Sequence, residues 1–150
     1  MQRIIIKEGD PVLRKISKPV ESFDARLHEL LEDLADTMYK YDGAGLSAVQ
    51  VGILKRVFVI DVGNGLKEFV NPKLLKSSGK NKIKEEGCLS VPTKYGYVER
   101  PENIEVSYQD RFGNLMQEKL SGYEAKAFCH EYDHLDGILF IDRAYKLKNL

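Results

Sequence analysis

The sequence predicts an α+β fold with a helix toward each end of the chain, and three observations carry that prediction. Apolar residues recur at helical spacing after Asp24 and again after Ser121. The segments between are rich in β-forming residues and broken by glycine turns. The resulting order of helix, strands, hairpin and helix differs from the alternating βαβ pattern of a parallel sheet. With 150 residues, 43% of them hydrophobic, the chain is long enough for one sizeable core, so residues 1–150 are expected to form a single domain.

The elements follow in order. The segment to Glu21 carries Pro11 and Pro19, each of which holds the preceding residue in extended geometry, so a packed irregular arm is expected. After Asp24, a suitable cap, Leu27, Leu30, Leu31, Leu34 and Met38 share one helical face and read as core. His28 beside that stripe reads as a surface or hydrogen-bonded histidine. Gly43-Ala44-Gly45 ends the pattern. Arg56–Asp61 reads as a strand, Gly63-Asn64-Gly65 as a turn and Glu68–Val70 as the return strand. The polar stretch Ser77–Lys84 reads as a loop or frayed edge. Ile104, Val106 and Tyr108 alternate with polar residues, Asp110–Asn114 can turn, and Met116, Glu118 and Leu120 continue a hairpin. Ser121-Gly122-Tyr123-Glu124 fits a capping box, and Ala125, Phe128, Cys129, Tyr132 and Leu135 then repeat until Gly137, placing a second helix over about 122–136.

Charge narrows the function classes. The chain has 23 Lys+Arg against 23 Asp+Glu, so no field of one sign draws nucleic acid or an anionic membrane to it. No apolar run approaches the ~18 residues of a membrane span, and the Met1–Lys7 start is too short for a signal peptide. The expectation is a soluble, cytoplasmic protein whose two cysteines, Cys88 and Cys129, are thiols.

The chemistry concentrates on the second helix, where His130-Glu131-Tyr132-Asp133-His134 forms an H-E-x-x-H array. Residues four apart stack on one helical face, so both imidazoles can reach one metal ion, with Glu131 close enough to hold water at its open position. A catalytic ion of this kind needs a third protein ligand. Gly137 matches the glycine of the extended H-E-x-x-H-x-x-G-x-x-H motif, but the 13 residues after it contain no His, Cys or Glu. The third ligand is therefore Asp136, Asp142 or a residue upstream. Upstream, Cys88 in Glu85-Glu86-Gly87-Cys88-Leu89-Ser90-Val91-Pro92 stands out, since a thiolate is a strong ligand for zinc or ferrous iron. Cys129 falls on the apolar stripe and reads as packing. Gly43-Ala44-Gly45-Leu46-Ser47-Ala48-Val49-Gln50 offers close backbone approach and, in Gln50, an amide able to donate to a developing oxyanion. Taken alone, that cluster is a weak signal.

Together the three segments resemble the peptide deformylases, whose motifs are G-x-G-L-A-A-x-Q, E-G-C-L-S and H-E-x-D-H-L-x-G. Here they stand as GAGLSAVQ (43–50), EGCLS (86–90) and HEYDHLDG (130–137), in the same order. The sequence departs from the usual pattern at Ser47, where alanine is usual, and at Cys129, where glutamine commonly precedes the first histidine. Some members carry a long C-terminal helix, and the 13 residues after Gly137 leave little room for one, so ribosome docking through it is not carried over. A transient ribosome contact stays open as an expectation.

The resemblance implies antiparallel β-sheets surrounding a central helix that carries the two histidines. It implies that Cys88, His130 and His134 bind the metal and that Glu131 is general base and acid. Gln50 and the Leu89 N–H would support the oxyanion, and Gly45 would offer main-chain contacts to an extended peptide. Ala44, Gly87, Ala127 and Tyr123 complete the expected substrate contacts, with Ala44, Ala127 and Tyr123 as candidates for the methionine side-chain pocket. The implied reaction is removal of the N-formyl group from formyl-methionyl nascent peptides, releasing formate. One divalent ion is expected per chain, Fe²⁺ as commonly used in bacteria, with Zn²⁺ or Ni²⁺ as alternatives. Two other readings compete. An H-E-x-x-H metallopeptidase would need Asp136 or Asp142 as its third ligand, and a non-catalytic metal-stabilised binding module would need a closed four-ligand site.

Overall fold

The computed structural model describes residues 1–150 and has the expected α+β architecture. In chain order the elements are α1 (Ala25–Lys40), β1 (Gly45–Ser47), β2 (Val57–Ile60), β3 (Lys67–Ser78), β4 (Glu85–Cys88), β5 (Val91–Tyr97), β6 (Asn103–Gln109), β7 (Leu115–Ser121), α2 (Gly122–His134), α3 (Phe140–Arg143) and β8 (Lys146–Asn149). Pairing is antiparallel in a five-stranded sheet of order β1-β2-β3-β6-β7 and a three-stranded sheet of order β4-β5-β8.

The core explains why β2 reads as an unbroken apolar run. Val57 and Val59 face the α1 stripe of Leu27, Leu30, Leu31, Leu34 and Met38, while Phe58 and Ile60 face Phe128 and Leu135 of the α2 segment. A strand covered on both faces has no position left for polar alternation. Phe58, Phe69 and Phe128 meet with ring centroids 5.1–5.3 Å apart, in the tilted and edge-on geometries aromatic pairs prefer. A third cluster, Leu13, Val49, Val91, Val98, Leu139 and Phe140, ties the N-terminal arm and α3 to the three-stranded sheet.

Several local expectations hold. Asp24 caps α1 by accepting from the Leu27 N–H at 3.2 Å, and the hairpin of β6 and β7 turns on Asp110, whose Oδ1 accepts from Phe112 and Asn114 N–H. Others need correction. The arm contains a 3₁₀ turn over Pro11–Arg14, started by Asp10. β3 runs on to Ser78, with Ser77 and Ser78 opposite Ile104 and Asn103, so the loop begins only at Gly79. The capping box of α2 does not form. The Ser121 side chain makes no capping bond, the Gly122 N–H donates to Glu102, and Glu124 is drawn to Lys67. α2 ends at His134, short of the expected 136, and the chain turns away at Gly137, whose φ is +75°. A Cβ there would stand 2.5 Å from the Arg14 carbonyl, which explains the need for glycine. The segment after α3 forms β8 against β5 rather than a helix. No helix of the structure is long and apolar enough to cross a membrane.

Candidate metal centre

β4 and β5 are joined by the two-residue turn Leu89-Ser90, which sets Cys88 opposite Val91 at the end of the ladder and aims its thiol at α2. On α2, His130 and His134 lie one turn apart with ring centroids 5.0 Å from each other. Cys88 Sγ is 3.3 Å from His134 Nε2, and one donor atom from each of Cys88, His130 and His134 lies within 4.8 Å of the others. Two donors sharing one ion at about 2.0–2.3 Å are at most ~4.4 Å apart, so the set needs only a small adjustment to close on a single divalent ion. A thiolate with two imidazoles suits Zn²⁺, Fe²⁺ or Ni²⁺. The two aspartates left open as third ligands are engaged elsewhere, Asp136 with Arg56 and Asp142 with Arg14.

The two imidazoles differ in surroundings. His134 is completely buried, and burial followed by the neighbouring His130 holds its pKa well below the ordinary range, which keeps a lone pair for a metal. His130 Nδ1 is 2.6 Å from Glu86 Oε2, which leaves Nε2 to face the centre. A carboxylate on the far nitrogen is the usual means of fixing a metal-binding imidazole in tautomer and orientation. Glu86 is buried and also accepts from Arg100 Nε and Nη2 and from Lys126 Nζ, at 3.1, 2.7 and 3.0 Å. Burial works against its charge, yet His130 and Arg100 hold the Glu86 carboxyl well below the usual carboxylate range. Burial lowers the Lys126 ammonium, and Arg100 extends the network to Asp133, which Arg143 also grips.

Gln50 lies on a short 3₁₀ turn after β1. Its Oε1 accepts from the Ser47 N–H at 2.9 Å, which turns Nε2 toward Ser90 Oγ at 3.0 Å and Cys88 Sγ at 3.6 Å. Glu131 is buried between α2 and β1, and that burial raises its carboxyl above the ordinary value, against the opposing pull of His130 and the Ser47 hydroxyl. Gly45 lies so close to Glu131 that a Cβ would come within 2.7 Å of Oε2.

These residues share one cleft of about 330 Å³. Cys88, His130, Glu131, Gln50 and Leu89 line it, as do all five expected substrate-contacting residues, Ala44, Gly45, Gly87, Ala127 and Tyr123. Of the site residues expected from sequence, only His134, which is fully buried, is absent from the lining. Cys129 is buried in the α2 core, where burial pushes its thiol up to about 11, in keeping with a packing role. His28 Nε2 is 2.9 Å from the Arg111 carbonyl oxygen, outside the cleft.

Reasoning from sequence missed Glu86, Arg100, Lys126 and the hydroxyl of Ser47. Glu86 had a usable signal. It stands two residues before Cys88, and a metal-binding histidine wants a carboxylate behind it. Arg100 and Lys126 had none, and Ser47 showed only as a departure from the usual alanine, because only the fold brings these residues to Glu86 and Glu131.

The model of the polypeptide deformylase family matches residues 2–150. The chain belongs to that family. A peptide deformylase of Thermotoga neapolitana is 50% identical over 142 residues, covering 95% of this chain and 87% of its own. One from Caldicellulosiruptor bescii is 53% identical over 137 residues, covering 91% and 82%. The crystal structure of a peptide deformylase from Thermotoga maritima superimposes with a TM-score of 0.93 at 48% identity, over 96% of this chain and 98% of that one. The activity of the chain is that of its family, metal-dependent deformylation of newly made polypeptides.

Proposed function

We propose that residues 1–150 act as one catalytic unit in which Cys88, His130 and His134 hold a single divalent ion, physiologically Fe²⁺, with Zn²⁺ or Ni²⁺ able to replace it. The observation that carries this reading is the convergence of one thiol and two imidazoles at the floor of a cleft that also presents Glu131 and Gln50. The substrate is the formyl-methionyl end of a nascent peptide, and the products are formate and a free amino terminus. When bound, such an ion supplies Lewis acidity and lowers the pKa of water.

The chain's own residues supply the rest. Glu131 takes a proton from the attacking water and returns it to the leaving amine. Gln50, already oriented by Ser47 and Ser90, donates from Nε2 to the oxygen that gains charge, together with the Leu89 N–H. A formyl carbon bears hydrogen where the carbonyl carbon of an internal peptide bond bears the α-carbon of the preceding residue. Gly45 and Gly87 leave their own stretches of the cleft wall without side chains, and a narrow site can admit the formyl group while excluding internal peptide bonds. Ala44, Ala127 and Tyr123 line the space offered to the methionine side chain.

The ligand set is tested by metal content. Cys88→Ala is expected to purify with far less than one ion per chain, while the wild type binds one. Full occupancy in Cys88→Ala, with activity retained, would overturn the assignment.

A further inference from the structure

β1 carries Gly45 and Ser47 on either side of Leu46 and runs beside α2. Both touch or crowd Glu131. Ser47 is fully buried, and its Oγ lies 2.8 Å from Glu131 Oε1 and 3.2 Å from the Glu131 main-chain oxygen. Gly45 closes on the other oxygen, because a Cβ there would stand 2.7, 2.9 and 3.0 Å from Oε2, Cγ and Cδ. Oε2 is left on the side of His130, 3.8 Å from Nε2. Ser47 also fixes Gln50, through its main-chain N–H.

We propose that Ser47 is a positioning residue for the reaction. Its hydroxyl pins one oxygen of Glu131 so that the other is held toward the reacting centre, and its N–H sets the orientation of Gln50. The last torsion of a glutamate is broad and roughly two-fold, so packing alone fixes the carboxylate plane poorly, whereas a charge-assisted hydrogen bond fixes it well. The alanine usual at this position in the family keeps the main-chain contact to Gln50 but has no hydroxyl for Glu131. In this chain the carboxylate therefore has an anchor that the common motif lacks.

The proposal rests on Glu131 as general base, and the test separates the two. Ser47→Ala deletes only the hydroxyl. With Ni²⁺-loaded protein, kcat for a formyl-Met dipeptide is expected to fall about tenfold, within the ~10²-fold that a 1 Å misplacement can cost, while KM and metal content stay within twofold. The same substitution in a Glu131→Asp background, whose shorter carboxylate is drawn back from Ser47, is expected to cost less than twofold. A crystal structure of Ser47→Ala should show the Glu131 carboxylate rotated from its wild-type plane. If Ser47 merely satisfies the Glu131 carbonyl near the end of α2, Ser47→Ala will lower the melting temperature and leave kcat unchanged. That result, or an equal loss of kcat in both backgrounds, overturns the proposal. Full activity in Glu131→Ala would instead overturn the general-base reading.

Discussion

Glu86→Gln keeps the shape of the side chain and removes the charge that holds the buried network behind His130. Glu86 accepts from Arg100 twice, from Lys126 and from His130, and its side chain is only 4% exposed, so solvent screens little of this. Arg100 keeps Asp133 as a partner after the substitution, but the only carboxylate contacting Lys126 is lost. Removing one partner of a buried ion pair costs ~3–5 kcal/mol, and in a chain of this size each kcal/mol moves the melting temperature by about 2–4 °C, so a fall of ~6–20 °C is expected. Loss of a carboxylate behind a metal-binding imidazole should also weaken metal affinity by about 10–100-fold.

The sign of the pH dependence follows from the depressed Glu86 carboxyl. Its contribution is complete above the ordinary value of 4.5 and is lost as pH falls below that value toward the folded one. The gap in melting temperature between the wild type and Glu86→Gln should therefore be widest near neutrality and narrow below pH 4.5. Thermal melts by circular dichroism at several pH values, with chelator competition for affinity, measure both quantities. A melting temperature within 2 °C of wild type at neutral pH, together with unchanged metal affinity, would refute the role given to Glu86.

Other expectations follow from the same geometry. Gln50→Ala should lower kcat by about 10²–10³ with little change in KM, as measured by steady-state formate release, if its amide donates, as proposed, to charge that develops only in the transition state. Iodoacetamide at pH 8 should modify Cys88 in metal-free protein well before Cys129, whose thiol is pushed up to about 11 and is ~0.1% thiolate there. Bound metal should protect Cys88, as read by peptide mass mapping. Activity of the Fe²⁺-loaded protein should decay faster in air than that of the Zn²⁺- or Ni²⁺-loaded forms, since a thiolate beside ferrous iron invites oxidation. Equal decay rates for the three metals would contradict this.

Much of the fold and of the candidate site was legible in the sequence, for identifiable reasons. α1 buries one face, and α2 is enclosed nearly all round, but in both the apolar residues that pack into the core repeat at helical spacing. β2 is buried on both sides and reads as an apolar run. The residues with distinctive chemistry, Cys88, His130, Glu131, His134 and Gln50, fall in short local motifs that survive without the fold. β1, β4, β5 and β8 were not legible. β1, β4 and β8 are short and rich in glycine or charge, β5 is interrupted by Pro92 and Gly96, and all four are held by their ladders and by the elements packed on them. The Glu86–Arg100–Lys126–Asp133 network was hidden because its members lie up to 47 positions apart, and charged residues read one at a time look like surface. Ser47 was visible as a departure from the family pattern, but its contact with Glu131 exists only once β1 lies beside α2.

As proposed, this cleft hydrolyses a formyl amide through Glu131 beside a Cys88–His130–His134 centre. The most direct test is formate release from a formyl-Met dipeptide by protein loaded anaerobically with Fe²⁺ or Ni²⁺, with Glu131→Ala prepared in parallel. Release by the wild type at one bound ion per chain, abolished in Glu131→Ala with its metal retained, is the predicted result. No release from fully loaded wild type, or undiminished release from Glu131→Ala, would contradict that mechanism.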